Sequence, residues 1–293
     1  MRFLSYRRAF LSFALAAALL AMMLGHPAAT WAQVEVNTCG QTVPAGTVGN
    51  LQADLQCSTS AGSGGAVILA RRATLAMNGH TISQPPTGLS IGVLCLSRCT
   101  VTGPGEIYGG VIAVLGRNVV VSDLNIHDVS AGLLIVRSFA DVISLTHLGK
   151  VLATNVSVLR TGFIGVYAKN ARLNGVTSSE NALDGVTAGR LQGTNLTTND
   201  NARGGIFAGR ADVDGLTANN NATGGGFWTS RGTLQNATLA GNRFANLQGA
   251  GGVVDGDVIT YGRLAVQNVT CGYSLRISDS SEYLGTLGVC SGD

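Results

Sequence analysis

Three stretches of the chain recur at one fixed interval and read alike: Gly165-Val166-Tyr167-Ala168, Gly185-Val186-Thr187-Ala188 and Gly205-Ile206-Phe207-Ala208. A looser fourth begins at Gly225-Gly226-Phe227-Trp228. Val176, Leu196 and Leu216 recur at the same spacing, and so do Asn181, Asn201 and Asn221. A unit this short cannot bury its own apolar face, so each must cover its neighbour. The pieces between the glycines and asparagines are short apolar or β-branched alternations with no helix-period stripe, which makes them strands and turns. The longer leucine pattern of a leucine-rich repeat is absent. The expectation is an all-β chain: a single right-handed parallel β-helix, a solenoid with coils of about 20 residues. In such a stack the asparagine column would hydrogen-bond from unit to unit at tight corners.

The repeat does not reach the start of the chain. Arg2, Arg7 and Arg8 precede an apolar run from Phe10 to Leu24, and Thr30-Trp31-Ala32 follows as a small-residue cleavage context. Residues 1–32 therefore read as an export signal, with a twin-arginine flavour in Arg7-Arg8, and 33–293 as one β-helical domain with terminal caps. The location expected is the periplasm or the medium, without a permanent membrane span, because the run is short for one. Without the signal, sixteen basic residues face sixteen acidic ones, and no broad basic footprint for nucleic acid remains. Low charge together with abundant Val, Leu, Ile and Ala excludes a disordered polyampholyte.

All six cysteines follow the signal. An even number in an exported chain favours oxidation, and clustering suggests Cys39 with Cys57, Cys95 with Cys99, and Cys271 with Cys290. The first and last pairs would tie the two ends of the stack.

The opening has a character of its own: Cys39-Gly40, Val43-Pro44-Ala45-Gly46, Leu75-Ala76-Met77-Asn78-Gly79-His80-Thr81-Ile82 and Val101-Thr102-Gly103-Pro104-Gly105. Together with the later units, it resembles bacterial secreted right-handed β-helix proteins of the pectate-lyase-like superfamily. That resemblance implies a carbohydrate-facing protein, with polysaccharide lyases, epimerases and noncatalytic members all represented. The Asp-Pro-His-Asp pattern of alginate epimerases is missing.

Candidate chemistry follows from scarce residue types. His127 and His147 are separated by the repeat interval, which would place them on adjacent coils, and Asp128 and Lys150 stand beside them. His127, His147, Lys150 and Tyr167 are the expected acid-base set. Asp128, Arg160, Lys169, Arg172, Arg190 and Arg210 are the expected substrate contacts, since arginine reads carboxylates with a planar fork. An arginine that neutralises a uronate carboxylate makes the neighbouring proton easier to remove, the first step of both a lyase and an epimerase. Tyr167, Thr187, Phe207 and Phe227 fall in one repeat phase, which favours packing. The acids Asp184, Asp200, Asp212, Asp214, Asp255 and Asp257 read first as turn residues, and calcium is the one cofactor left open. No phosphate-binding loop or Gly-x-Ser-x-Gly elbow occurs. The expectation is a uronate-polysaccharide lyase or epimerase acting on an acidic or envelope glycan. The alternative is a noncatalytic glycan-binding or structural envelope protein.

Overall fold

The computed structural model describes residues 32–58, 65–86, 90–136, 148–245, 253–255, 257–260, 264–277 and 283–287. The expected export signal lies outside the described residues except for Ala32. Among the described residues, twenty-three strands join one hydrogen-bonded sheet, almost all of it parallel. Two short strands, Arg243–Ala245 and Val253–Asp255, pair antiparallel outside it. Tyr273–Ile277 and Tyr283–Leu287 close the main sheet with an antiparallel pair.

Six strands form a closed circuit. Asn118–His127 pairs through its first half with Lys150–Thr154, which pairs with Val166–Asn174, which pairs with Val186–Thr197. From Thr197 the circuit returns through Thr177–Ser179 and Ser157–Leu159 to the second half of Asn118–His127. It closes because long strands run around corners unbroken, so that one strand serves two sides. Asn118–His127 bends at Asp123, where its pairing with Cys99–Gly109 shifts register. This barrel-type core with peripheral strands corrects the expectation of a right-handed parallel β-helix of uniform coils, and with it the resemblance to the pectate-lyase-like superfamily. The repeat interval is local as well. Cross-strand contacts span 27 residues near the start, as from Asn78 to Leu51, and 20 between Asn181 and Asn201. They span 32 from Asn155 to Asp123 and again from Asn268 to Asn236.

Strand alternation builds the interior. Val119, Val151, Ala171, Leu191 and Ala211 occupy successive register positions and are all buried, as are Leu196, Leu216, Ala237 and Val269 in a second row. Each large aliphatic side chain so enclosed contributes roughly 1.5–3 kcal/mol. The corners are made by residues in the left-handed region, among them Asp123, Asn155, Asn195 and Asn236 in one column and Asp128, Arg160, Glu180, Asp200 and Asn220 in another. Asn and Asp tolerate that conformation better than branched residues, which accounts for their abundance between the apolar pieces.

The asparagine column lies inside one corner and is fully buried. The side-chain and backbone amides of Asn181 donate to the Asn201 carbonyl oxygen at 2.9 and 3.1 Å, and Asn201 repeats the pattern on Asn221. Asn221 donates to Asn242, and Asn242 to the Asp257 carboxylate. Gly185 passes so close to this row that a Cβ there would lie 2.6 Å from the Ser178 carbonyl oxygen and 2.8 Å from that of Gly205.

Two of the expected disulfides are formed, Cys39–Cys57 and Cys95–Cys99. Cys271 is disulfide-bonded, and its expected partner Cys290 lies outside the described residues. Cys95–Cys99 sits in mid-chain and braces a short loop.

Candidate functional site

The outward side chains of the rows through Asn118–Ser122, Lys150–Thr154, Asn170–Asn174 and Arg190–Thr194 alternate with the buried ones just described. They line a groove of about 770 Å³. Its charged walls are Arg98, Lys150, Arg172 and Arg190, all exposed, and no carboxylate lines it among the described residues. Register places them in order: Asn118, Lys150, Asn170 and Arg190 are successive rungs of one column. Val120, Leu152, Arg172 and Gln192 are successive rungs of the next. Val120 and Leu152 are 38% and 43% exposed, so the floor carries an apolar strip between the cations. None of the four cations has an ion-pair partner among the described residues.

The groove is bounded by a neutralised pair. Arg210 follows Arg190 in the column but donates to Asp212 at 3.2 Å, and Asp212 also accepts from Thr233. Lys169 lies at the other margin, in a smaller cavity described below. Among the expected substrate contacts, Arg172 and Arg190 line the groove, and Lys169 and Arg210 flank it.

Asp128 and Arg160 belong elsewhere. Both occupy left-handed corner positions, and the Arg160 guanidinium grips Asp128 with two hydrogen bonds of 2.9 Å. The Arg160 guanidinium, with the His127 ring beside it, holds the Asp128 carboxyl well below the usual carboxylate range. Nδ1 of His127 is 2.7 Å from Asp128, Nε2 is 2.7 Å from Glu106, and the ring stacks on Tyr108 at 5.3 Å between centroids. Both ring nitrogens are thus taken up by carboxylates, in a clamp that joins neighbouring rungs. His127 pairs in register with Tyr108 on one side and with Leu159 on the other, and the step to Leu159 exceeds the repeat interval, as does the 32-residue step from Asp128 to Arg160. Residue 147 is therefore not its rung neighbour, and His147 itself lies outside the described residues.

Lys150 is in the groove, on the far side of the Asp123 bend from His127. Tyr167 is half-buried against a small apolar cluster that contains Leu134 and Leu148. The four expected catalytic residues are therefore not assembled. The aromatic column also shifts by one. Tyr167, Thr187 and Phe207 are followed by Trp228, while Phe227 continues the buried row of Val186 and Ile206.

Asp184 is buried and holds the Arg203 guanidinium by both oxygens, with Thr187 and the Gly204 amide also donating to it. That contact raises the Arg203 pKa above its ordinary value. No group of three His, Cys, Asp or Glu side chains is placed to hold a metal ion among the described residues. A groove walled by cations does not fit calcium, which takes carboxylate and carbonyl oxygens. No helix of the described residues is long and apolar enough to cross a membrane.

Arg98 and Arg117 are functional candidates that sequence reasoning passed over. Arg98 looked like part of the Cys95–Cys99 loop, although the repeat interval separates it from Asn118. Arg117 reaches Lys150 and Lys169 only across the longer step between Asn118 and Lys150, which the local repeat conceals. No family model, curated protein or solved structure matches the chain.

Proposed function

We propose that this is an exported protein, periplasmic or released, that binds an anionic polysaccharide along the groove. The observation that carries the reading is the set of four exposed cations, Arg98, Lys150, Arg172 and Arg190, without ion-pair partners or a wall carboxylate among the described residues. Unpaired cations raised on adjacent rungs repel one another, and a carboxylated chain laid over them relieves that repulsion. The Val120 and Leu152 strip offers the C–H faces of sugar rings a surface to cover, while the arginine forks take carboxylates in bidentate fashion. Cationic spacing along stacked strands, about 4.8 Å per rung, suits a repeating ligand better than a compact one.

A catalytic reading draws on one observation. Lys150 shares the groove with Arg172 and Arg190, the pairing of base and charge-neutralising group that β-elimination needs. With His127 clamped between Glu106 and Asp128, Lys150 is the base such a reaction would use.

The test is titration of the mature chain with polygalacturonate, alginate and a neutral glucan at low and high salt, with ultraviolet absorbance followed for unsaturated uronate. Binding of the acidic polymers that weakens steeply with salt supports the proposal. Equal binding of the neutral glucan, or no binding of any acidic polymer at low salt, overturns it. A new absorbance lost in Lys150→Gln would add the lyase activity.

A further inference from the structure

A second cavity, of about 230 Å³, opens from the groove and shares Asn118, Lys150 and Asn170 with it. Arg117, Lys150 and Lys169 converge on it from three successive rungs, and no carboxylate lines it among the described residues. Gly149 forms part of its wall. This residue stands so close to the Arg117 carbonyl that no side chain fits there, which keeps the Arg117 and Gly149 rungs in close register beside Lys169. The backbone around it is already satisfied: the Gly149 amide donates to Ile135 and the Lys150 amide to Arg117, while the Lys169 and Asn170 amides donate to Gly149. What remains free to meet a ligand is three cationic heads and the Asn118 and Asn170 side-chain amides.

We infer that this cavity is a subsite for a tetrahedral oxyanion, a sulfate or phosphate ester carried on the glycan that lies in the groove. The inference rests on the groove reading and narrows its substrate class. A planar carboxylate has one charge and two acceptor oxygens, which a single arginine fork satisfies. Three cations around a space of this size call for a group with more charge and with oxygens pointing in three directions. Both esters supply the three oxygens, and a phosphate monoester supplies the added charge as well. Arg98, Arg172 and Arg190 lie along the rest of the groove and are left for the carboxylates of the same chain.

The experiment is calorimetric titration of the mature chain with two matched pairs. One is a chondroitin oligosaccharide with and without its sulfate, and the other a uronate oligosaccharide with and without a terminal phosphate. The esterified member of at least one pair should bind about tenfold more tightly, the scale of one added set of charge-assisted hydrogen bonds. Lys169→Gln and Arg117→Gln should each erase that ratio and leave the unesterified member within about twofold, as expected for exposed charges that do not line the groove itself. Arg172→Gln should weaken both members alike. Unfolding midpoints equal to the parent's show that the variants are folded. The pair that shows the ratio names the ester. A ratio near unity in the parent for both pairs, or a ratio that survives both variants, overturns the subsite while the groove proposal stands. If no oligosaccharide binds, the groove proposal fails and inorganic phosphate decides: saturable binding lost in Lys169→Gln upholds the subsite, and no binding overturns it.

Discussion

The molecule carries two polar columns built by the same repeat, and they differ in one respect. In the buried row, Asn181, Asn201, Asn221 and Asn242 each give their amides to the next member, so every group is answered within the chain. In the exposed column, Lys150 and Arg190 project from the same kind of ladder, and nothing in the described chain answers them. Periodicity alone therefore assigns no role. A repeated polar residue that is satisfied inside holds the rungs together, and one left unsatisfied outside is available to a partner.

The contrast breaks most readily at the buried row. Asn201→Leu leaves both amides of Asn181 without their acceptor and removes the side-chain amide that donates to Asn221 and to the Ser178 carbonyl, at a cost of about 3 kcal/mol. A urea titration should show the lower midpoint, and glycan affinity extrapolated to native conditions should be unchanged. Gly185→Ala pushes a methyl group against two backbone carbonyls and should cost about 2 kcal/mol by the same measurement.

The exposed column should respond in the opposite way. Arg190→Gln is expected to leave the unfolding midpoint in place and weaken polyuronate binding about tenfold, a loss of charge-assisted hydrogen bonds. A shift of midpoint with unchanged binding would reverse the assignment of roles.

The smallest effect belongs to the exposed corner that pairs its charges, Asp128 with Arg160. The Asp128 pKa lies below its unfolded value, so the pair stabilises the fold above the ordinary carboxylate range. That contribution disappears as pH falls through the range and below it. Because both side chains are about half exposed, solvent screening keeps it small. Asp128→Asn should remove the corresponding part of the acid sensitivity in melts followed from neutral to acid pH.

Much of this was legible in the residues. Val176, Leu196 and Leu216 show the buried row, and Asn181, Asn201 and Asn221 show the ladder, because equal spacing survives wherever units are equal. Asn242 and Asp257 continue that ladder but fall off the repeat phase, so they escape a search by interval. The same failure joined His127 to His147: the longer step at that point moves Leu159 into the neighbouring position. The closure of the sheet was hidden for another reason. Whether a strand stops at a corner or runs through it depends on one left-handed residue such as Asp123, and Asp is equally at home in an open turn. Arg172 and Arg190 were legible as contacts, but Lys150 was grouped with His127 and Tyr167, and the Asp123 bend that parts Lys150 from His127 left no trace in the spacing.

The asparagine row also has a direction. Thr161 gives its amide to Asn181, every member thereafter donates the same way, and the row stops at Asp257, an acceptor whose second oxygen takes the Gly272 amide. Each intermediate unit therefore presents an identical donor to one neighbour and an identical acceptor to the other. A gene duplication that inserts one whole unit between Asn181 and Asn221 would splice into the row without an unmatched group, whereas a partial unit would not. The chain is thus open to growth in quanta of one whole unit between two ends that are not interchangeable, and each added quantum would extend the outer column by one rung.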